Sequence, residues 1–190
     1  MTALLLPEDA LWRPSPFADE RPEDVPVSLV VVHGISLPAG QWGGPWVDDL
    51  FMGRLYNQPD LPPYLSSLQF LKVSTHLFIR RTGAVVQYVA LQRRAWHAGV
   101  SAWQGRERCN DYSIGIELEG SDHTAYDDRQ YASLQRVLVQ LKAQVPTLQE
   151  IVGHEDIAPG RKTDPGPAWN WERLVLPDGL YSPHQSGGCS

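Results

Sequence analysis

Cysteine is scarce in this sequence, since 190 residues contain only Cys109 and Cys189. Two thiols, one of them close to the end of the chain, are too few for a disulfide framework and are typical of proteins from a reducing compartment. The opening residues carry no basic segment and only a short apolar run, so they lack the pattern of a secretory signal peptide. We therefore expect a cytoplasmic protein.

Long hydrophobic runs and an excess of positive charge are also missing. No stretch approaches the roughly 20 apolar residues that a membrane-spanning helix needs, so we expect no membrane partner. The 16 lysines and arginines stand against 22 aspartates and glutamates, which gives a formal net charge of −6. Because nucleic-acid binding rests on a basic surface, we expect no nucleic-acid partner either.

The length and composition predict one globular domain. A chain of this size buries roughly two thirds of the surface that its unfolded form exposes, which is enough for a single core. We predict that the folded body spans residues 28–176. Residues 1–27 are acidic and rich in proline and are expected to pack on that body as an extended segment, while residues 177–190 are expected to form a flexible tail.

Hydrophobic periodicity predicts an α/β fold in which helices flank a mixed β-sheet. Residues 29–32 form a continuous β-branched run, which is typical of a strand buried on both faces. Residues 73–79 and 84–89 have the pattern of a hairpin around Gly83. Residues 151–153 form a further short, buried strand.

Two longer helices are predicted, and a short terminal helix is predicted after Trp169. Residues 45–55 begin with a proline, which is tolerated in a first helical turn, whereas the prolines of residues 57–67 indicate a loop. Residues 128–145 carry an apolar stripe with helical spacing, and Asp127 and Gln130 form a plausible capping pair before it.

Residues 113–118 alternate strictly and predict a strand with two different faces. One face carries only aliphatic side chains. The opposite face carries Ser113, Gly115 and Glu117. We expect the Glu117 carboxylate to project over an uncrowded surface.

His33 and His154 each follow an apolar strand directly. Residues at such positions are presented on an exposed edge by a rigid scaffold. A hydrolytic zinc site uses three protein ligands from histidine and carboxylate and keeps a fourth position for water. With Asp164, these two histidines can supply that set. A single histidine after a strand is nevertheless more often structural than a ligand.

The other four histidines are left out of the ligand set. His76 shares a strand face with Phe78 and is interpreted as a packed residue or as support for a ligand. His97 fits either interpretation. His123 and His184 have the pattern of solvated loop residues.

A long motif is more specific than any single histidine. Residues 153–166 read GHEDIAPGRKTDPG. This segment resembles the signature loop of the AmpD-type amidases, a branch of the peptidoglycan amidase family that also includes phage lysozyme-type amidases and peptidoglycan recognition proteins. Three further stretches match the same pattern in the same order, at residues 33–38 with 43–46, 94–101 and 105–120.

The resemblance implies a fold, a site and a reaction. It implies the zinc amidase fold of this family, with one zinc ion per chain held by His33, His154 and Asp164. It makes Glu117 the catalytic carboxylate and Lys162 the group that stabilises the transition state. The implied reaction is hydrolysis of the amide bond between 1,6-anhydro-N-acetylmuramic acid and L-alanine in cytoplasmic muropeptides, during peptidoglycan recycling.

Two positions depart from the family pattern. Gly34 stands where members often have asparagine, and Lys72 stands where a member can carry arginine, which replaces a bidentate donor by a point charge. Both changes bear on substrate affinity rather than on the reaction. Lys72 and Arg108 are candidate partners for the substrate carboxylates, and Trp96 is a candidate for stacking on the sugar.

Two alternatives remain open at this stage. One is a recognition module that binds peptidoglycan fragments without cutting them, and the other is an amidase that acts on intact cell wall. The complete set of five site residues favours hydrolysis. We expect a monomer with a small-molecule muropeptide as its only partner.

Overall fold

The computed structural model describes residues 10–56, 58 and 61–185 of the chain. Its strands are β1 (Leu11–Trp12), β2 (Ala18–Glu20), β3 (Leu29–Ile35), β4 (Leu77–Ile79), β5 (Val85–Gln87), β6 (Arg93–Ala95), β7 (Ala102–Trp103), β8 (Arg106–Glu107), β9 (Ser113–Glu119) and β10 (Glu150–Gly153). Its α-helices are α1 (Trp46–Phe51), α2 (Asp128–Gln144) and α3 (His154–Ile157), and short 3₁₀ turns lie at Pro63–Leu68, Cys109–Asp111 and Trp171–Arg173. None of the helices in these residues is long and apolar enough to cross a membrane.

Six strands form one mixed sheet in the order β1-β5-β4-β9-β3-β10. All neighbouring pairs run parallel except β4 and β5, which form the predicted antiparallel hairpin. Gly83 lies in its turn with a φ of 83°, a conformation that favours glycine. The predicted single-domain α/β fold with a mixed sheet is therefore confirmed.

The centre of the sheet explains why β3 and β9 read as they do in the sequence. All seven residues of β9 are buried, as are the first five of β3. The aliphatic face of these two strands packs against α2 through Leu134, Val137, Leu138 and Leu141. The opposite face carries Ser113, Gly115 and Glu117, as the alternation predicts.

Helix α2 begins where its sequence predicts. The Asp127 side chain accepts a hydrogen bond from the Arg129 backbone N–H, and the Gln130 side chain accepts one from the Asp127 N–H, which completes a capping box. The helix ends at Gln144, one residue before the predicted end. This helix is therefore confirmed almost to the residue.

Helix α1 is shorter than predicted, because it ends at Phe51 rather than near residue 55. Gly53 has a φ of 71°, and a Cβ there would lie 2.8 Å from Pro16 Cγ. Gly53 directly follows the C-cap residue Met52, so its left-handed conformation ends the helix, and the nearby N-terminal segment leaves no room for a side chain there. Part of the predicted loop 57–67 is likewise 3₁₀ helix, at Pro63–Leu68.

Both ends of the described part of the chain contact the body, while residues 1–9 of the predicted N-terminal segment lie outside it. β1 extends the sheet by pairing with β5, and β2 pairs with β6. Residues 177–185, predicted as part of a flexible tail, are packed: Leu180 and Ser182 are buried, and His184 Nε2 lies 2.8 Å from Asp156 Oδ2. The rest of that predicted tail, with Cys189, lies outside the described residues.

Candidate metal centre and active-site cleft

Parallel pairing brings two of the candidate site residues together. In the register of β3 and β9, His33 lies opposite Glu117. β10 flanks β3 on the other side, with Gly153 opposite Val32, so that His154 follows directly at the same edge. Because the carboxyl ends of parallel strands share one edge, residues 84 positions apart in the sequence become neighbours here.

The loop after β10 returns Asp164 to the same edge. The Asp164 carbonyl accepts a hydrogen bond of 2.9 Å from the Glu155 N–H, and Thr163 Oγ1 donates to Asp122 Oδ2 at 2.5 Å. Within the loop, the Lys162 N–H donates to the Ala158 carbonyl at 3.0 Å. The motif 153–166 is therefore a closed turn that begins and ends at candidate ligands.

Three donor atoms converge at this edge. His33 Nδ1 lies 2.9 Å from His154 Nδ1 and 3.3 Å from Asp164 Oδ2, and His154 Nδ1 lies 3.0 Å from the same oxygen. Both histidines are buried, at 1% and 3% exposure. This is the only group of three or more potential metal ligands found among the described residues.

The chemistry of this donor set fits zinc. His154 Nε2 lies 3.3 Å from the Ala98 carbonyl, which can only accept, so Nε2 is the donor of this ring and Nδ1 is left to face the other two donor atoms. Burial lowers the pKa of His33 to about 4, although the neighbouring Asp164 opposes the shift, so the His33 ring is neutral at pH 7. Two imidazoles and one carboxylate are a common ligand set of catalytic zinc.

The Asp164 carboxylate stays ionised in this setting. Burial alone would raise its pKa, but the adjacent His154 and His33 rings oppose this and hold the pKa well below its usual range. The centre therefore carries one formal negative charge, which favours a cation between the three donor atoms.

Glu117 lies beside the three donors without joining them. Its Oε1 is 4.0 Å from His33 Nδ1, and its buried Oε2 has no hydrogen-bond partner in the part of the chain that the structure describes. Burial, reinforced by the charge of Asp164, raises the pKa of Glu117 well above its usual range, while Lys162 acts in the opposite sense. An unpartnered carboxylate with a raised pKa is a candidate to exchange protons with a reacting group.

A cleft of about 220 Å³ opens over these groups. Its polar end contains the three donors, Glu117, His97 and Lys162. Its apolar wall is formed by Ile35, Leu37, Leu50, Phe51, Leu68, Leu71 and Val73. A second cleft of about 550 Å³, lined among others by Val100, Arg108, Pro159 and Arg161, lies on the outer side of the loops. The first cleft alone contains the candidate chemistry.

The candidate substrate contacts are spread around the clefts. Lys72 lies between two residues of the apolar wall, with its ammonium 4.8 Å from the Tyr56 ring centroid. Trp96 stacks on Phe17, and its Nε1 donates to Asp19 at 3.0 Å. Arg108 lines the larger cleft and pairs with Asp111 at 3.0 Å, so the structure does not bring it into the cleft with the donors.

The structure also shows why glycine occupies position 34. A Cβ on Gly34 would lie 2.4 Å from the Tyr126 hydroxyl, which itself donates to the Pro165 carbonyl at 3.0 Å. Tyr126 therefore fills the space of a side chain at position 34 and holds the loop residue after Asp164. Only the departure at Gly34 hinted at this arrangement in the sequence.

Comparison with known proteins identifies the family. The family model described as N-acetylmuramoyl-L-alanine amidase matches residues 23–167. The chain belongs to this family. A curated relative is the 1,6-anhydro-N-acetylmuramyl-L-alanine amidase AmpD of Enterobacter cloacae, 55% identical over 167 residues, which are 87% of this chain and 88% of the relative.

Solved structures of amidases agree with this assignment. A crystal structure of a selenomethionine AmpD derivative superimposes with a TM-score of 0.84 at 53% identity, covering 88% of this chain and 93% of that one. The E. coli amidase AmiD, solved with anhydro-N-acetylmuramic acid-L-Ala-D-γ-Glu-L-Lys, gives 0.57 at 26% identity and covers 82% of this chain and 59% of that one. This chain is thus an amidase with the fold of its family.

Proposed function

We propose that this amidase hydrolyses the bond between 1,6-anhydro-N-acetylmuramic acid and L-alanine in small muropeptides, with one zinc ion held by His33, His154 and Asp164. The observation that carries the proposal is the convergence of two Nδ1 atoms and one carboxylate oxygen beside an unpartnered Glu117. The substrate class follows from the similarity to the AmpD relatives, which are named for this bond.

Zinc at this centre would polarise the amide carbonyl and lower the pKa of water. Residues of the chain transfer the protons and stabilise the developing charge. Glu117 accepts a proton from the attacking water and returns it to the departing alanine nitrogen, since an amide nitrogen leaves only when protonated. Its raised pKa suits both steps, because the carboxyl group must lose and regain the same proton in each turnover.

Lys162 supplies positive charge at the same polar end of the cleft. It lowers the pKa of both Glu117 and His33, so its charge acts on the reacting region. We assign it to the oxyanion that develops when water adds to the carbonyl. Removing one such group commonly lowers kcat by about 10²- to 10³-fold, and we expect a loss of this size for Lys162→Met.

The rim of the cleft provides the substrate contacts in this proposal. The apolar wall receives the carbon skeleton of the sugar and its lactyl group, and Lys72, at the edge of that wall, binds a peptide carboxylate. Trp96 adjoins the same end through its backbone hydrogen bond to Ser74 and offers an aromatic face to the sugar. Arg108 would then contact a longer peptide that reaches the larger cleft.

We further propose that the protein acts in the cytoplasm as a monomer. Cys109 is a free and fully buried thiol, in keeping with a reducing compartment. Cell fractionation tests the location, and sedimentation equilibrium tests the oligomeric state. Recovery of the protein in the periplasm would contradict the location, and a stable dimer would contradict the state.

The assay that tests the reaction uses anhydro-N-acetylmuramyl-L-Ala-D-γ-Glu-L-Lys and mass spectrometry of the products. We expect release of the intact tripeptide and the free anhydro sugar. Stoichiometric binding without turnover by zinc-loaded protein would instead indicate a recognition module. Digestion of intact sacculi at a comparable rate would replace the proposed substrate by the cell wall itself.

A further inference from the structure

His97, which is not one of the three donors, contacts one of them. Its Nδ1 lies 2.9 Å from His33 Nε2, the ring nitrogen that points away from the centre. Two imidazole nitrogens at this distance share one proton, so one ring donates and the other accepts. Which ring donates decides whether His33 Nδ1 offers a lone pair to a metal ion.

Ser113 fixes the direction of this hydrogen bond. Its hydroxyl donates to the Cys109 carbonyl at 2.6 Å, and since a hydroxyl has one hydrogen, it can only accept from His97 Nε2 at 3.1 Å. His97 Nε2 therefore carries the proton of that ring, and Nδ1 of the neutral ring accepts. His33 Nε2 must then be the donor, which leaves His33 Nδ1 with a free lone pair.

The small residues of β9 make room for this ring. A Cβ on Gly115 would lie 2.5 Å from His97 Cγ, so no larger residue fits at that position without moving the ring. The predicted uncrowded face of β9 is thus occupied by His97, which lies between Ser113 and His33.

The backbone next to His97 orients the second histidine donor. The Asn110 side-chain oxygen accepts from both the His97 and the Ala98 N–H groups, at 3.1 and 2.8 Å. The Ala98 carbonyl then accepts from His154 Nε2 at 3.3 Å and from Arg161 at 2.7 Å. One dipeptide, held in place by Asn110, contacts the outer nitrogen of both histidines.

We propose that residues 97–98 are the positioning element of the metal centre. The chain of hydrogen bonds from Ser113 through His97 to His33, and the Ala98 carbonyl at His154, hold both rings in the tautomer that presents Nδ1 to the metal ion. This inference rests on the zinc centre of the proposed function. It adds that the metal affinity depends on residues that never touch the metal.

The direct test reads the protons on the histidine rings of the wild-type protein. Two-bond ¹H–¹⁵N spectra of the zinc-loaded protein distinguish protonated from unprotonated ring nitrogens, and His97→Asn assigns the resonances. We expect His97 to carry its proton on Nε2 and none on Nδ1. A proton on His97 Nδ1 would overturn the inference, whatever the activity of the protein.

Variants test the consequence for zinc affinity, measured by competition with a chromogenic chelator. Loss of such a partner typically weakens metal binding by about 10- to 100-fold, and we expect this for His97→Ala. His97→Asn keeps an acceptor atom near the Nδ1 position, so it should recover part of the loss. Unchanged affinity in His97→Ala would contradict the inference.

A pair of serine variants provides the matched control. Ser113→Ala removes the acceptor of the His97 proton, and we expect a several-fold loss of zinc affinity. Ser133 is also buried and donates to a backbone carbonyl, that of Gly83 at 2.7 Å, but it lies in α2 away from the site. Ser133→Ala should bind zinc as the wild type does. Equal zinc affinities of the two variants would count against the role of Ser113.

Thermal unfolding of the metal-free variants separates lost folding from lost positioning, because only folded samples enter the comparison. The result also separates this inference from the proposed function. If the wild-type protein binds no zinc, the proposed function is wrong. If the wild-type protein binds one zinc per chain and His97→Ala has the same zinc affinity, only the positioning role is wrong.

Discussion

The two faces of the central sheet are built in different ways. The face under α2 carries only aliphatic side chains from β3 and β9, and all are fully buried: Val30, Val32, Ile114, Ile116 and Leu118. The opposite face carries His33, Ser113 and Glu117, with His97 laid across Gly115. The aliphatic face must fill the core volume and tolerates exchange among hydrophobic residues of similar size. On the opposite face, each polar atom needs one particular hydrogen-bond partner.

This contrast predicts that changes on the two faces act on different quantities. A substitution on the polar face should change zinc affinity or turnover at nearly constant stability. A substitution on the aliphatic face should change the free energy of unfolding and leave the chemistry of the folded fraction intact.

The largest effect is expected for Glu117→Gln. The amide has the size of the carboxylate but cannot take up a proton from water, and loss of a general base commonly lowers kcat by about 10²- to 10⁴-fold. Zinc affinity should stay within a few-fold of wild type, since Glu117 is not one of the three donors. Steady-state kinetics and zinc titration on one sample provide the measurement. A kcat close to that of the wild type would show that another group moves the proton.

The next effect is expected on the opposite face, for Leu138→Ala. Leu138 is fully buried under the sheet, and truncation of such a residue typically costs about 2 to 5 kcal/mol of stability. Denaturant unfolding measures the loss, and zinc affinity is measured on the folded protein. If this variant lost zinc affinity as strongly as His97→Ala does, the two faces would not be independent.

Gly34→Ala tests the contact between the site and the loop that carries Asp164. The new methyl group would meet the Tyr126 hydroxyl at 2.4 Å, and overpacking of this kind costs about 1 to 3 kcal/mol. Removing the hydroxyl should relieve the clash, since the next Tyr126 atom would be 3.7 Å away. The double variant with Tyr126→Phe should thus be more stable than the sum of the single changes predicts. Simple additivity in chemical unfolding would refute the contact.

The smallest effect concerns pH. Burial, together with the charge of Arg21, lowers the pKa of His76 to about 3, so the folded protein holds this ring neutral. Because the folded-state pKa is depressed, the stability from His76 is complete above the unfolded pKa near 6.5 and is lost as the pH falls toward 3. Between pH 7.5 and 5.5 this loss is about 1 kcal/mol. Unfolding of the metal-free wild type and of His76→Gln should differ in pH dependence by this amount, and identical pH dependences would contradict it.

Local sequence patterns predicted most helices and strands. They did not predict features that depend on contacts with residues far away in the sequence. Helix α2 was predicted almost to the residue, because its stripe and its capping pair lie within the segment itself. Helix α1 was predicted too long, because the chain turns at Gly53, where the distant Pro16 lies too close for a side chain. Periodicity predicted both faces of β9, yet it could not show that a histidine would fill the space above Gly115.

The candidate site shows the same division. The two strand-terminal histidines were selected from local patterns, with Asp164 as a third candidate ligand, whereas the roles of Glu117 and Lys162 came from the resemblance. The tautomer of His33 depends on Ser113 and His97, which are 80 and 64 positions away from it, and no local pattern reports such contacts. Gly34 departed from the family pattern, but only the position of Tyr126 explains the departure.

The proposed role of zinc at His33, His154 and Asp164 is tested by turnover of the anhydro-muropeptide by chelator-stripped protein during stepwise addition of zinc. We expect no turnover without metal and a linear recovery that ends at one zinc per chain. Full turnover by the stripped protein, or saturation of the site by zinc without turnover, would show that zinc at these residues does not support amide hydrolysis.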